Sequence, residues 1–93
     1  MDAKIYSYEY WISQTEPTCL FNTYYKKLID SGFKILAHTE HHFKPIGYTC
    51  IFLLAESHFA IHTFPEENKT YLQLSSCNKQ FFDNFLKLEN IYV

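Results

Sequence analysis

Between Gly47 and Glu66 the chain runs through a long, mostly apolar stretch whose middle nevertheless holds Glu56, Ser57, His58 and His62. A run this hydrophobic belongs in a core, and buried ionisable groups are costly unless they are paired or put to use. A bland core strand would carry Val and Leu at these positions. Here a hydroxyl nucleophile, a carboxylate and imidazoles sit there instead, so whatever fold forms must accommodate reactive groups at its centre.

The flanking segments supply the elements around it. Lys4 to Ile12 is rich in aromatic and β-branched residues and reads as a strand. Its two faces differ: Ile5, Ser7, Glu9 and Trp11 on one, Tyr6, Tyr8, Tyr10 and Ile12 on the other. After the break at Glu16-Pro17, Thr18 is expected to cap a helix reaching about Asp30. Leu20, Phe21, Tyr24, Tyr25, Leu28 and Ile29 form its apolar stripe, and Gly32 is free to take the positive φ of a C-terminal cap. Residues 33–43 read as a second strand, with Pro45 and Gly47 punctuating a turn. The 47–66 run then supplies one or two strands, and 65–69 a loop. Thr70 to Ser76 alternates as a further strand, and Asn78 caps a last helix with Phe81, Phe82, Phe85, Leu86 and Leu88 on its apolar side. Asn90 to Val93 is expected to add a short final strand. This order predicts a single domain over residues 1–93 with an α+β fold: a two-layer sandwich of an antiparallel sheet with two helices on one face.

Composition narrows the function. With 93 residues the chain has room for one core. Aromatic residues make up 19%, enough both to fill that core and to line a pocket or an interface with a second copy, which would help a domain this small. The formal charge is −2, and all eight cations are Lys. Without Arg there are no bidentate phosphate clamps, so nucleic acid is not expected as a partner. No apolar run is long enough to span a membrane, and the start of the chain does not resemble a secretion signal. Three unevenly spaced cysteines do not form a disulfide framework, which points to a reducing, cytoplasmic setting. Cys19 and Cys50 read as small core hydrophobes.

Phe43, Pro45, Gly47, Glu56-Ser57-His58, His62-Thr63, Pro65-Glu66 and Cys77 stand in an order and at a spacing that resembles the self-processing motif of prokaryotic S-adenosylmethionine decarboxylases. The resemblance covers about residues 33 to 77. It implies that the Glu56–Ser57 bond cleaves itself, with Ser57 attacking the Glu56 carbonyl and residue 57 ending as a pyruvoyl group. That group would serve as the cofactor, forming a Schiff base with the substrate amine during decarboxylation for polyamine (spermidine) synthesis. It further implies Thr49 and His62 as the groups moving protons during processing, Cys77 as the proton donor in turnover, and Phe43 and Glu66 as ligand contacts. Ser57 and His62 are five residues apart, so on an unbroken strand they face opposite ways. This agrees with the resemblance's implication of a homodimer with active sites shared between two copies.

Other readings stay open on sequence alone. The run 49–63 contains neither Gly nor Pro, so a helix would set His58 and His62 at the i, i+4 spacing of a zinc pair, whereas a strand would hold them roughly 13 Å apart. No metal is expected. Thr49, Cys50, Gln73 and Asn78 depart from the residues usual in the family, mainly where substrate selection is concerned. Ornithine or arginine is therefore an alternative substrate, and an unprocessed, ligand-binding homologue is an alternative to an enzyme.

Overall fold

Period-two alternation organises the chain into one sheet. In the computed structural model, which describes residues 3–91, the elements run β1 (Tyr6–Ile12), α1 (Pro17–Ser31), β2 (Ile35–His42), β3 (Tyr48–Leu54), β4 (Ser57–Phe64), β5 (Lys69–Ser76) and α2 (Lys79–Leu88). All neighbours are antiparallel, in the order β1-β5-β4-β3-β2. β2 to β5 form a meander. α1 carries the chain from β1 at one edge to β2 at the other, which is why β1 pairs with the last strand rather than the next. The expected α+β two-layer sandwich is the fold observed.

One sheet face is buried against the two helices. Tyr48, Cys50, Phe52 and Leu54 from β3, Phe59 and Ile61 from β4, and Leu72 and Leu74 from β5 point into the core. Leu20, Tyr24 and Leu28 of α1 and Phe82, Phe85 and Leu86 of α2 complete it. Tyr24, Phe59 and Phe85 form an aromatic centre with ring centroids 5.2–6.3 Å apart. Each such ring contributes about 1.5–3 kcal/mol through burial, and each favourable pair adds about 0.5–1.5 kcal/mol. The helical stripes are narrower than their sequence pattern: Tyr25, Ile29 and Leu88 are exposed, because a single sheet face covers one line of side chains on each helix.

The ends of elements show where local expectation and structure part. Glu16, not Thr18, caps α1; its carboxylate accepts the Thr18 and Cys19 N–H groups at 2.8 and 3.0 Å. Pro17 prefers the first helical position, which moves the start ahead of Thr18. Gly32 does end the helix at φ 114°, with a Cβ there blocked by the Phe81 ring. Asn78 caps α2, accepting from the Phe81 N–H at 3.0 Å. The 65–69 segment is a single 3-10 turn, Pro65–Glu67, followed by Asn68 in the left-handed region. Of the expected final strand, Asn90 and Ile91 belong to no strand and positions 92–93 lie outside the described residues. Cys50 is fully buried, but Cys19 is exposed beside Thr23, on the outer side of α1.

Candidate active site

The polar centre of the 47–66 run is a hairpin turn. Leu54 pairs with Ser57, so Ala55 and Glu56 form the turn between β3 and β4. Ala55 N–H donates to the Lys34 carbonyl at 3.0 Å and anchors it. Glu56 takes φ 61°, a left-handed conformation that costs an L-residue with a Cβ about 1–2 kcal/mol. The strained residue therefore carries the carbonyl that precedes Ser57.

The start of the α2 region closes over this turn. The Cys77 thiol lies 3.2 Å from the Glu56 carbonyl oxygen, to which it donates, and 3.5 Å from Glu56 Oε2. Desolvation, the Glu56 hydrogen bond and the Glu56 charge all raise this thiol above its ordinary value. Cys77 is exposed, so water tempers the first of these and the carboxylate contact is the specific part. A thiol held protonated is a hydrogen-bond donor to a carbonyl and a proton source. Ser57 Oγ donates to Ser76 Oγ at 2.7 Å, and Ser76 is fully buried on the core face. Ser76 was not singled out by the sequence pattern of reactive groups. Its signal is a hydroxyl at the position where the Leu72, Leu74 alternation calls for another apolar side chain.

Thr49 and His62 meet elsewhere. They are directly opposed across β3 and β4, with Thr49 Oγ1 3.0 Å from His62 Nδ1. They lie on the face of the sheet that the helices leave open, in a row with Tyr71 and Trp11. Tyr71 stacks on the His62 ring at 6.2 Å. Partial burial lowers the His62 pKa below the ordinary imidazole value, which favours the neutral ring. Ser57 shares the core face with Leu54 and Ser76, so Ser57 and His62 do face opposite ways, roughly 16 Å apart along one strand.

Phe43 and Glu66 lie at the far end of the sheet. Phe43 follows β2, half exposed, with its ring edge-on to His41 at 4.5 Å. It lines a cleft of about 380 Å³ with His42, Ile46, Tyr48, Thr63 and Pro65, and the exposed Glu66 follows Pro65 directly. Ser57 opens β4 and Phe64 closes it, so this end is roughly 23 Å from the Glu56–Ser57 turn. One copy of the chain thus brings together Glu56, Ser57 and Cys77, separately joins Thr49 to His62, and leaves Phe43 and Glu66 apart from both. His58 and His62 are strand residues on the open face, not a helical pair. Among the described residues no group of three His, Cys, Asp or Glu side chains is placed to hold an ion, and no helix is long and apolar enough to cross a membrane.

Comparison with known proteins decides the family. The S-adenosylmethionine decarboxylase profile matches residues 15–87. The chain belongs to the S-adenosylmethionine decarboxylase family. It is 32% identical over 71 residues to S-adenosylmethionine decarboxylase proenzyme 2 of Bacillus cereus, covering 68% of this chain and 58% of that protein. It is 40% identical over 50 residues to the S-adenosylmethionine decarboxylase proenzyme of Prochlorococcus marinus, covering 54% of this chain and 40% of that one. The chain therefore spans between two fifths and three fifths of the length of these relatives. The crystal structure of the adenosylmethionine decarboxylase from Aquifex aeolicus superposes with a TM-score of 0.67 over 96% of this chain and 80% of that chain, at 17% identity. That likeness is one of fold.

Proposed function

We propose that this member of the family is a self-processing decarboxylase that converts Ser57 into a pyruvoyl group and acts on S-adenosylmethionine. One observation carries the reading. The Glu56 carbonyl sits in a left-handed turn, next to a hydroxyl nucleophile, with its oxygen already accepting from the Cys77 thiol at 3.2 Å. Ser57 Oγ adds to the Glu56 carbonyl carbon while the thiol supports the negative charge forming on oxygen. The C–N bond then breaks, and the proton lost from Oγ is balanced by one gained at nitrogen, leaving an ester. Removal of the Ser57 α-proton expels the Glu56 carboxylate from the β-carbon. The dehydroalanine left behind takes up water and releases ammonia.

The residues present fit a pyruvoyl group at position 57: the precursor hydroxyl is there, and the protonated thiol of Cys77 flanks it. That ketone supplies an electron sink for the substrate's α-carbon as CO₂ leaves. Cys77 holds the proton that the substrate carbon needs afterwards. Phe43 offers a ring face for a purine, and Glu66 a carboxylate for ribose hydroxyls. The relatives' names favour S-adenosylmethionine over ornithine or arginine, and CO₂ release from each of the three separates them.

The dispersal of these groups supports a homodimer. Two sheets stacked open face to open face about a twofold axis that reverses strand direction set the Phe43 and Glu66 end of one copy against the Ser57 end of the other. Trp11, Ile51, Leu53 and Phe64 leave that open face unusually apolar for a surface in water, with exposures of 36–52%. Thr49 and His62 lie on that face near its Phe43 and Glu66 end, and are thereby set towards the partner's Ser57 end. Denaturing mass spectrometry of the purified protein tests the central step. Two fragments, 1–56 and 57–93, are expected, the second bearing a carbonyl that reacts with hydrazine; a single intact mass in active protein would falsify the reading.

A further inference from the structure

We infer that Ser76 is the positioning residue for self-cleavage, holding the Ser57 hydroxyl so that its lone pairs face the Glu56 carbonyl. The inference rests on the self-cleavage reading and adds to it a residue that neither the motif nor the family likeness assigns. Ser57 donates its only hydroxyl proton to Ser76 Oγ, 2.7 Å away. A hydroxyl has one proton and two lone pairs, so fixing the proton fixes where the lone pairs point. Free in water, that rotor would spend most of its time in unproductive orientations.

Ser76 is itself buried and hydrogen-bonded on both sides of its oxygen. It is 1% exposed, and its oxygen accepts the Asn78 N–H at 2.9 Å while its own proton reaches back to the Asn78 carbonyl at 3.4 Å. Asn78 caps α2 through the Phe81 N–H. The position of Ser57 Oγ is thus tied, through one buried hydroxyl, to the beginning of a helix. Neighbouring Cys77 projects from the same short segment onto the carbonyl to be attacked. The Ser76–Cys77–Asn78 segment therefore sets nucleophile and electrophile against each other, one residue for each. Ser76 takes no proton in this role: the net step remains O–C bond formation, C–N bond cleavage, and one proton moved from Ser57 oxygen to Ser57 nitrogen. Orientation of this kind is worth orders of magnitude in intramolecular attack.

The test follows precursor lifetime by intact mass after rapid purification, with hydroxylamine added to a parallel sample to cut any ester at residue 57. Ser76→Ala is expected to slow fragment appearance about 10- to 100-fold, with no hydroxylamine-sensitive ester accumulating, because the attack itself is slowed. Ser76→Thr restores the hydroxyl and is expected to recover most of the rate, which a purely packing role would not give. Circular dichroism melts of each variant in a Ser57→Ala background compare folding without the cut. Cleavage of Ser76→Ala at the wild-type rate overturns the inference. So does an accumulating ester, which would place the hydroxyl's action after the attack, or a Ser76→Thr variant as slow as Ser76→Ala. A wild-type chain that never cleaves removes the self-cleavage reading instead, a result distinct from all of these.

Discussion

At Glu56 both the backbone carbonyl and the side-chain carboxylate meet one thiol, at 3.2 and 3.5 Å. The carboxylate favours the protonated thiol, and the thiol donates to the carbonyl, so the two roles proposed for Cys77 both draw on Glu56. In the proposed reaction the carbonyl contact acts in the precursor, and the proton held on the thiol serves the cleaved protein. Cys77→Ala is therefore expected to slow self-cleavage by about tenfold, less than the loss of a full oxyanion-hole N–H, because a thiol is a weaker donor. Fragment ratios over time on a denaturing gel measure it. Any protein that does cleave should release little product from substrate, since the proton donor is gone. An uncut Cys77→Ala chain after days at room temperature would make the thiol indispensable rather than assisting, and a wild-type rate would remove it from the first step.

The hairpin between β3 and β4 is the element on which the proposed chemistry turns. A two-residue turn with Gly in its left-handed position is relaxed; with Glu there it is strained, and the strain lies next to the bond to be broken. Glu56→Gly is expected to stabilise the uncut fold by about 1 kcal/mol, read as a raised melting temperature in a Ser57→Ala background. With Ser57 present, the same substitution should slow cleavage, since both the strain and the carboxylate contact to Cys77 are lost. Faster cleavage in Glu56→Gly would show that the left-handed turn restrains the reaction. Residues 49–63 hold no Gly or Pro to announce this turn, which is why the sequence left one strand or two open there.

At the scale of the molecule, two features reach beyond the hairpin. Tyr10 and Tyr24 both donate to the buried Glu89 carboxylate, at 2.5 and 2.7 Å, and Lys27 pairs with it, joining β1, α1 and the end of α2. Burial, first of all, raises both phenols above their ordinary value near 10, and Glu89 adds to the shift. A raised folded-state pKa means stability that is whole below pH 10 and lost as pH rises, because the unfolded phenols ionise there while the folded ones do not. Melting temperature should hold level through neutral pH and fall above about pH 10; a flat profile to pH 11 would remove these phenols from the stability of the fold. The second feature is the division of the proposed site between copies. Ser57→Ala and His62→Ala chains, each uncut alone, are expected to yield partial cleavage when co-expressed, because a mixed dimer holds one site with both groups. Mass spectrometry should find the cut only in the His62→Ala chain. No cleavage in the mixture would argue that each copy must serve itself.

Local pattern was enough for most of the elements, the faces of β1, the Gly32 and Asn78 caps and the motif around Glu56-Ser57, because period-two and helical spacing are properties of neighbouring residues. The opposed directions of Ser57 and His62 were legible for the same reason, from an odd offset on one strand. What only the folded chain decided depends on contacts distant in sequence. Cross-strand register sets Thr49 against His62, and the return of β5 beside β4 delivers Ser76 to Ser57 and Cys77 to the Glu56 carbonyl. A sheet of finite width covers one line of each helix and leaves Tyr25 and Ile29 in water despite their apolar spacing. Periodicity says which way a side chain points; only the pairing of strands says what it meets there.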